Sequence, residues 1–399
     1  MKFFPKDKYL FPFIFIFSFL FFLAHIAYTK TALYSDTRFY YAYTRSLVID
    51  RDILLTNDFQ LLGIEPAINS EGFAVNTFPV GTSLFWVPGF WLADSFMKAT
   101  QFLQSSSLIP SGFEIPYQIA TAATNIFLGT LGLYLLYSLL RKYFSETIAR
   151  LTAITLFSTT NLLFYFAVEP LTSHATSFFV STLFVYYFLK HKKDKYYYLI
   201  LGLLGGFAGL VRTQDALILV VPIIQIIVNS KTSLKFLVTN FILLFAGFLV
   251  GFAPQIFLWK LFFDFYYPPP GWGYGFTFLS PHILYVLFNR ENGLFILTPS
   301  VFLAFIGLFS LFLRKWHIAL FSLTYFFLQI YFISSWQEYF QGGSFSIRMM
   351  ISSYPFLSFG LAEIMTDTRN RFGYKALYHA ITLFSLLNFG LILRYLYIT

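Results

Sequence analysis

The strongest constraint on this chain is the recurrence of apolar runs long enough to cross a membrane. A bilayer core takes about 20 apolar helical residues per crossing. Tyr9 to Tyr28, YLFPFIFIFSFLFFLAHIAY, is one such run. Others follow at approximately 117–140, 147–167, 172–190, 196–211, 214–230, 235–262, 293–313, 317–334, 349–365 and 375–396. With the first they predict an all-α polytopic membrane protein of about eleven crossings, with residues 1–399 as a single integral membrane domain. Composition agrees. Only 11% of the 399 residues are charged, against 56 Phe and 28 Tyr, whereas a soluble domain carries about 25% charged residues. The chain has no cysteine, which excludes disulfides, thiolate metal sites and cysteine nucleophiles.

The few charges are unevenly placed, and their net sum is +9. Lys2, Lys6 and Lys8 precede the first run, which is too long for a signal peptide and is followed by no small-residue cleavage site. It reads as a retained anchor with a cytoplasmic N-terminus. The segment 79–96, PVGTSLFWVPGFWLADSF, is short and interrupted by Gly81, Pro88 and Gly89, which suits a helix at or dipping into the interface. If it does not cross, Arg141/Lys142/Arg150, Lys190/Lys192/Lys193/Lys195, Lys231/Lys235, Arg314/Lys315 and Arg369/Arg371/Lys375 all fall inside, as the positive-inside rule requires. Counting 79–96 as a crossing would put these clusters outside. The basic excess is therefore topological and marks no nucleic-acid site. Three outer loops remain, at 29–116, 264–292 and 335–348, and long loops of this kind tend to carry function.

The first outer loop opens YSDTRFYYAYTRSL. Asp36 lies close to the membrane among Tyr34, Phe39, Tyr40 and Tyr41, where a carboxylate is suited to proton transfer. Asp50-Arg51-Asp52 reads instead as a solvated turn whose charges pair locally. Isolated ionisable residues at the outer ends of runs form the second class: Glu169, His174, Arg212, Arg290 and Arg348. Charge at such depth is expensive and points to function. Arginine there suits an anion, because its fork binds phosphate oxygens in pairs. The alternative is an arginine that snorkels to lipid headgroups. The six histidines show no metal-ligand spacing, so no cofactor is assigned and a divalent metal is left open. Trp86, Trp91, Trp272 and Trp336 fall in outer or interfacial segments, where Trp collects without any ligand.

Four stretches together resemble the GT-C superfamily of polytopic glycosyltransferases, in particular bacterial members related to protein O-mannosyltransferases and the aminoarabinose transferase of lipid A. They are SDTRFYYAYTRSL; NTFPVGTSLFWVPGFWLA; GLLGGFAGLVRTQDALIL; and RENGLFILTPSVFLAFIGL with WQEYFQGGSFSIRMMISSYPFL. There are two departures. Asp36 is followed by Thr37 where the family often has Asp-Glu, and Ser346 stands where the pattern has Gly.

The resemblance implies a sugar donor on a polyprenyl phosphate, with membrane lipids around it and a glycan, lipid or protein acceptor. It implies Asp36 as general base and inversion at the anomeric carbon. Arg212 and Arg348 would steady the departing phosphate, and Glu169 and His174 would line the acceptor side. Arg38, Tyr40, Arg290, Trp336 and Glu338 lie in or beside the matching motifs and are candidate substrate contacts. The location implied is a bacterial inner membrane with a periplasmic active face. A transporter or flippase of a lipid-linked or anionic substrate, and an O-antigen polymerase or ligase, are the competing readings. A transporter would place polar residues on both faces and often shows inverted repeats.

Overall fold

The computed structural model describes residues 7–103, 110–191, 194–229, 233–267 and 275–398. Its elements are α1 (Asp7–Thr29), α2 (Thr37–Arg45), α3 (Thr56–Leu61), α4 (Gly81–Leu103), α5 (Ile115–Leu140), α6 (Glu146–Thr159), α7 (Leu162–Ala167), α8 (Ser173–Lys190), α9 (Tyr197–Val211), α10 (Val220–Asn229), α11 (Leu234–Phe263), α12 (Ile283–Phe288), α13 (Leu294–Leu297), α14 (Pro299–Ser335) and α15 (Tyr354–Ile398). No strand is present among the described residues, only isolated bridges.

Five segments are long and apolar enough to cross a membrane by length and composition: Tyr9–Thr29, Ile115–Leu140, Leu234–Phe263, Pro299–Ser335 and Arg348–Tyr397. Their outer faces are apolar. On α1, Phe13, Ile16 and Leu20 are exposed, as are Ile242, Phe245 and Val250 on α11. Apolar surface on this scale is unfavourable in water and is satisfied by lipid.

Among the described residues the helices break at three places. The 147–167 run is two helices, α6 and α7, separated at Thr160 and Asn161. α14 loses helical geometry at Lys315 (φ −140°, ψ 59°), and α15 loses it at Gly373 (φ 76°, ψ 175°). The breaks at Lys315 and Gly373 fall between expected runs, where basic residues divide them. The 79–96 segment is a longer helix than expected, since α4 runs to Leu103.

The two ends of the bundle differ in chemistry. At one end, Arg314 pairs with Glu363 (3.1 Å) and Asp367 (3.6 Å), and Lys315 donates to the Tyr143 carbonyl (3.3 Å). The basic turns near Tyr143, Lys315 and Asp367 are thus gathered together. At the other end lie Asp36, Glu169, Arg212 and Arg348. Between them, α9 and α11 pack backbone to backbone. A Cβ on Gly202 would lie 2.0 Å from the Leu244 carbonyl oxygen, and one on Gly247 would lie 2.0 Å from that of Leu199. Gly206 and Gly251, each one turn on, continue the same seam, a small-residue packing typical of helices in lipid.

Candidate functional site

Asp36 occupies the N-cap position of α2, where an aspartate ordinarily accepts a backbone N–H of the first turn. Here its side chain makes no such bond. Ser35 before it has φ +48°, which turns the chain sharply into the helix. Thr37 satisfies the local backbone instead, accepting from the Tyr34 N–H at 2.8 Å. The Asp36 carboxylate is left free for tertiary contact, and Arg348 Nη2 meets it at 2.8 Å. One turn along α2, the Tyr40 hydroxyl reaches Ser173 Oγ at 3.1 Å, and burial raises the phenol's pKa.

Arg212 sits where α9 ends. Its backbone is extended (φ −148°, ψ 118°), so the helix stops and the 3₁₀ turn 213–219 begins. Nη1 donates to Ser173 Oγ (2.7 Å) and to His174 Nδ1 (3.3 Å). A guanidinium only donates, so the bonded histidine nitrogen is the unprotonated one. The NTFPVG stretch backs this turn. A Cβ at Gly81 would lie 2.4 Å from the Leu210 carbonyl and 2.6 Å from the Val211 nitrogen, so only glycine fits against the end of α9. The Val80 N–H donates to Gln255 Oε1 of α11 at 3.0 Å, fixing the same segment.

Arg348 opens the 3₁₀ turn that leads into α15. The loop before it is conformationally strained: Gln341, Gly342 and Ser346 all have φ +59°. A left-handed conformation costs a non-glycine residue roughly 1–2 kcal/mol, and such strain collects at functional sites. The loop is pinned on both sides. Gln341 Oε1 accepts from the Met349 N–H (3.2 Å), and the Phe345 carbonyl accepts from Tyr165 OH (3.4 Å). The loops at 264–292 and 335–348 also meet. Thr277 N–H donates to the Ser335 carbonyl (2.6 Å) and Gln337 N–H to the Gly275 carbonyl (3.0 Å). Trp272 lies outside the described residues.

These elements enclose a cavity of about 450 Å³ lined by Asp36, Tyr40, Arg212, Trp336, Glu338 and Arg348, together with Thr77–Pro79, Thr213, Gln214, Gln341, Gly342 and Met349. Among the described residues, four buried donors of lining residues have no hydrogen-bond partner: Arg212 Nε, Thr213 Oγ1, Gln214 Nε2 and Gln341 Nε2. Leaving buried donors unmade is costly. The cavity sets two guanidiniums beside the carboxylates of Asp36 and Glu338, and a guanidinium fork is suited to an anion.

Glu169 stands beside this centre, on the loop between α7 and α8. Asn125 of α5 holds that loop, donating to the carbonyls of Pro170 and of Thr172 (2.7 Å). Burial raises the Glu169 pKa to about 7, with the Asp36 charge pushing the same way and Arg348 opposing. At neutral pH this carboxyl is therefore divided between its two forms.

Two sequence candidates lie elsewhere. Arg38 donates to the Leu62 carbonyl (3.3 Å) and the Ser35 carbonyl (3.5 Å), which braces the first loop. Arg290 lines a separate cavity across the Gly342 loop. The remaining acidic residues of the first loop are tied up structurally. Buried Arg45 pairs with Asp50 (2.5 Å) and Asp58 (2.8 Å), so Asp50 is held by a residue five positions back rather than by Arg51. Burial raises the Asp58 pKa to about 6 while Arg45 lowers it. Asp52 accepts from Ser46 Oγ (2.8 Å) and the Leu54 N–H (3.0 Å). Among the described residues no three His, Asp or Glu side chains are grouped to hold a metal ion. Gln214, Gln341 and Ser173 were not singled out from sequence. The first follows Arg212 directly, and the second precedes the GG pair of WQEYFQGGSFSIR, but an amide in a polar loop carries no signal of its own.

Residues 118–259 match the family model described as dolichyl-phosphate-mannose-protein mannosyltransferase. That stretch contains Glu169, His174 and Arg212, while Asp36 and Arg348 flank it. No curated protein matches the chain. Among solved structures, that of the Archaeoglobus fulgidus oligosaccharyltransferase in the apo form is similar in 98% of this chain at 12% identity, with a TM-score of 0.48. The present chain spans 55% of that one.

Proposed function

We propose that the chain is a membrane glycosyltransferase of the GT-C superfamily, and that the Asp36–Arg348 cavity binds a sugar carried on a polyprenyl phosphate and transfers it to an acceptor hydroxyl. The observation that carries this is the meeting of Asp36 with Arg348 in one cavity with Arg212.

Asp36 takes the proton from the acceptor hydroxyl. The acceptor oxygen attacks the anomeric carbon, the bond from that carbon to the phosphate oxygen breaks on the opposite face, and the sugar inverts. The electron pair leaves on the polyprenyl phosphate. Arg348 and Arg212 stabilise its charge in a partly dry site, where such donors are worth far more than in water. A positioned base contributes about 10²- to 10⁴-fold.

Asp36 pairs with Arg348 at 2.8 Å. A donor phosphate takes over Arg348 and frees the carboxylate to act as base. Trp336 and Tyr40 offer ring surface to the sugar, and Glu338 offers a hydroxyl acceptor. Glu169 lies between Asp36 and the acceptor side, and His174 holds Arg212 in place.

The site faces the periplasm of a bacterial inner membrane, with the N-terminus and the Arg314–Lys315 turn in the cytoplasm. The gathering of basic turns at the end away from Asp36 supports this orientation. A reporter inserted at Glu71 is then periplasmic and one at Lys142 cytoplasmic; the reverse pattern overturns it. Deleting the gene removes a sugar from a surface glycan and accumulates polyprenyl-phosphate sugar. An unchanged glycan and lipid profile overturns the transfer.

A further inference from the structure

The two arginines of the donor cavity stand on two short 3₁₀ turns. Arg212 immediately precedes the turn Thr213–Leu219, and Arg348 opens the turn Arg348–Ser353. Two side chains of α14 join these turns. Gln329 Nε2 donates to the Gln214 carbonyl (3.2 Å) and to Tyr325 OH (2.7 Å), and Tyr325 OH donates to Ser352 Oγ (3.1 Å). The amide has two hydrogens, one for each acceptor, and the phenol accepts one bond while giving another. The chain of bonds therefore runs unbroken from Gln214, two residues past Arg212, to Ser352, four residues past Arg348.

Tyr325 and Gln329 meet because residues four apart share one face of a helix. All four residues of the bridge are buried: Tyr325, Gln329 and Ser352 expose no surface, and Gln214 retains 5%. The Arg212 turn has a separate anchor on α8. Ser177 Oγ donates to Asp215 Oδ2 at 2.6 Å. Ser177 lies one turn along from Ser173 and His174, which hold the Arg212 side chain. α8 thus fixes the Arg212 turn, and α14 relates that turn to the one carrying Arg348.

A polar bridge inside an apolar bundle costs desolvation. Phe and Met at positions 325 and 329 would fill similar volume without burying a phenol and an amide. What the bridge adds is direction, because hydrogen bonds fix distance and angle where apolar contacts allow sliding. A phosphate shared by two guanidiniums depends on their separation, and a misplacement of about 1 Å can cost 10²-fold in rate.

We propose that Tyr325 and Gln329 are positioning residues that hold Arg212 and Arg348 at one spacing, as a single anion clamp. This rests on the cavity holding a polyprenyl phosphate.

The test uses the full chain in lipid nanodiscs, with native mass spectrometry counting bound polyprenyl phosphate and with polyprenol as the uncharged control. With both arginines present, Tyr325→Phe/Gln329→Met is expected to weaken polyprenyl phosphate binding at least about tenfold and to leave polyprenol unchanged. In the Arg212→Gln background one guanidinium remains and there is no spacing to hold, so the same pair of substitutions should change binding by less than about twofold. Tyr325→Phe alone cuts the bridge in its middle, leaves the Gln214 carbonyl bonded, and should show the same dependence on background. It decides the question if the double variant fails to fold, as judged by a thermal melt. Equal weakening in both backgrounds would mean general loosening, and no weakening with both arginines present would leave the bridge without effect on the clamp; either overturns the proposal. Wild type that binds no polyprenyl phosphate overturns the donor reading together with the clamp. If the expected binding pattern holds but wild type transfers no sugar, the transfer reading fails and the clamp stands.

Discussion

The Asp36 carboxylate and the Arg348 guanidinium meet at 2.8 Å, although 312 positions separate them in the sequence and each is only partly exposed. The pair sets two demands against each other. A base needs a free carboxylate, and an anion clamp needs a free guanidinium. Paired, each occupies the other, and on the proposed mechanism the donor phosphate separates them.

Asp36→Asn should therefore have opposite effects on binding and turnover. Removing the charge leaves Arg348 unopposed, so polyprenyl phosphate binds more tightly. Removing the base slows transfer by about 10²- to 10⁴-fold. Equilibrium binding and initial rates on the same preparation check both signs.

Arg348→Gln and Arg212→Gln should each lower kcat by roughly 10²- to 10³-fold, the usual cost of one charge-stabilising donor. Arg348→Lys should recover only part of this, because lysine cannot replace the planar fork. Single-turnover kinetics separate the loss in chemistry from any loss in donor binding.

Glu169 gives a pH dependence with a definite sign. Its pKa is raised to about 7, mainly by burial, so the neutral form prevails below that pH and the anion above it. The anion sits beside Asp36 and repels a donor phosphate. Donor affinity in wild type should fall as pH rises from about 6 to 8, and this fall should shrink in Glu169→Gln. The difference between the two profiles isolates Glu169 from the phosphate's own titration.

Ser346 occupies a left-handed backbone position at φ +59°, is fully buried, and leaves its hydroxyl unpartnered. Glycine, the residue in the related motif, removes both penalties. Ser346→Gly should stabilise the protein by about 1 kcal/mol, seen as a higher melting temperature, and Ser346→Val should lower it.

Much of this arrangement is legible in the sequence, for physical reasons that differ by element. α1, α5 and α11 are long uninterrupted apolar runs, and lipid leaves no alternative to a helix there. The breaks at Lys315 and Gly373 follow from charges or glycine placed inside such runs. The division of α6 from α7 is not legible, because Thr160 and Asn161 are polar without being strong breakers. Asp36, Arg212 and Arg348 stand out because a charge near lipid is costly. Arg38 and Arg290 stand out for the same reason, yet burial cost does not say which cavity or carbonyl an arginine will reach. Gln214 and Gln341 are invisible for the converse reason: an unpaired amide is notable only once the wall around it is known. The pairing of Asp50 and Asp58 with Arg45 likewise depends on how the first loop folds back on itself.

The central claim is that Asp36 abstracts the acceptor's proton in a cavity that holds a polyprenyl-phosphate sugar. It is tested most directly by incubating purified wild type and Asp36→Asn with radiolabelled polyprenyl-phosphate mannose and a membrane-glycolipid extract, and measuring labelled product and released polyprenyl phosphate. Wild type should form product, and Asp36→Asn should still bind the donor but transfer at least about a hundredfold more slowly. Transfer by Asp36→Asn at the wild-type rate would contradict it.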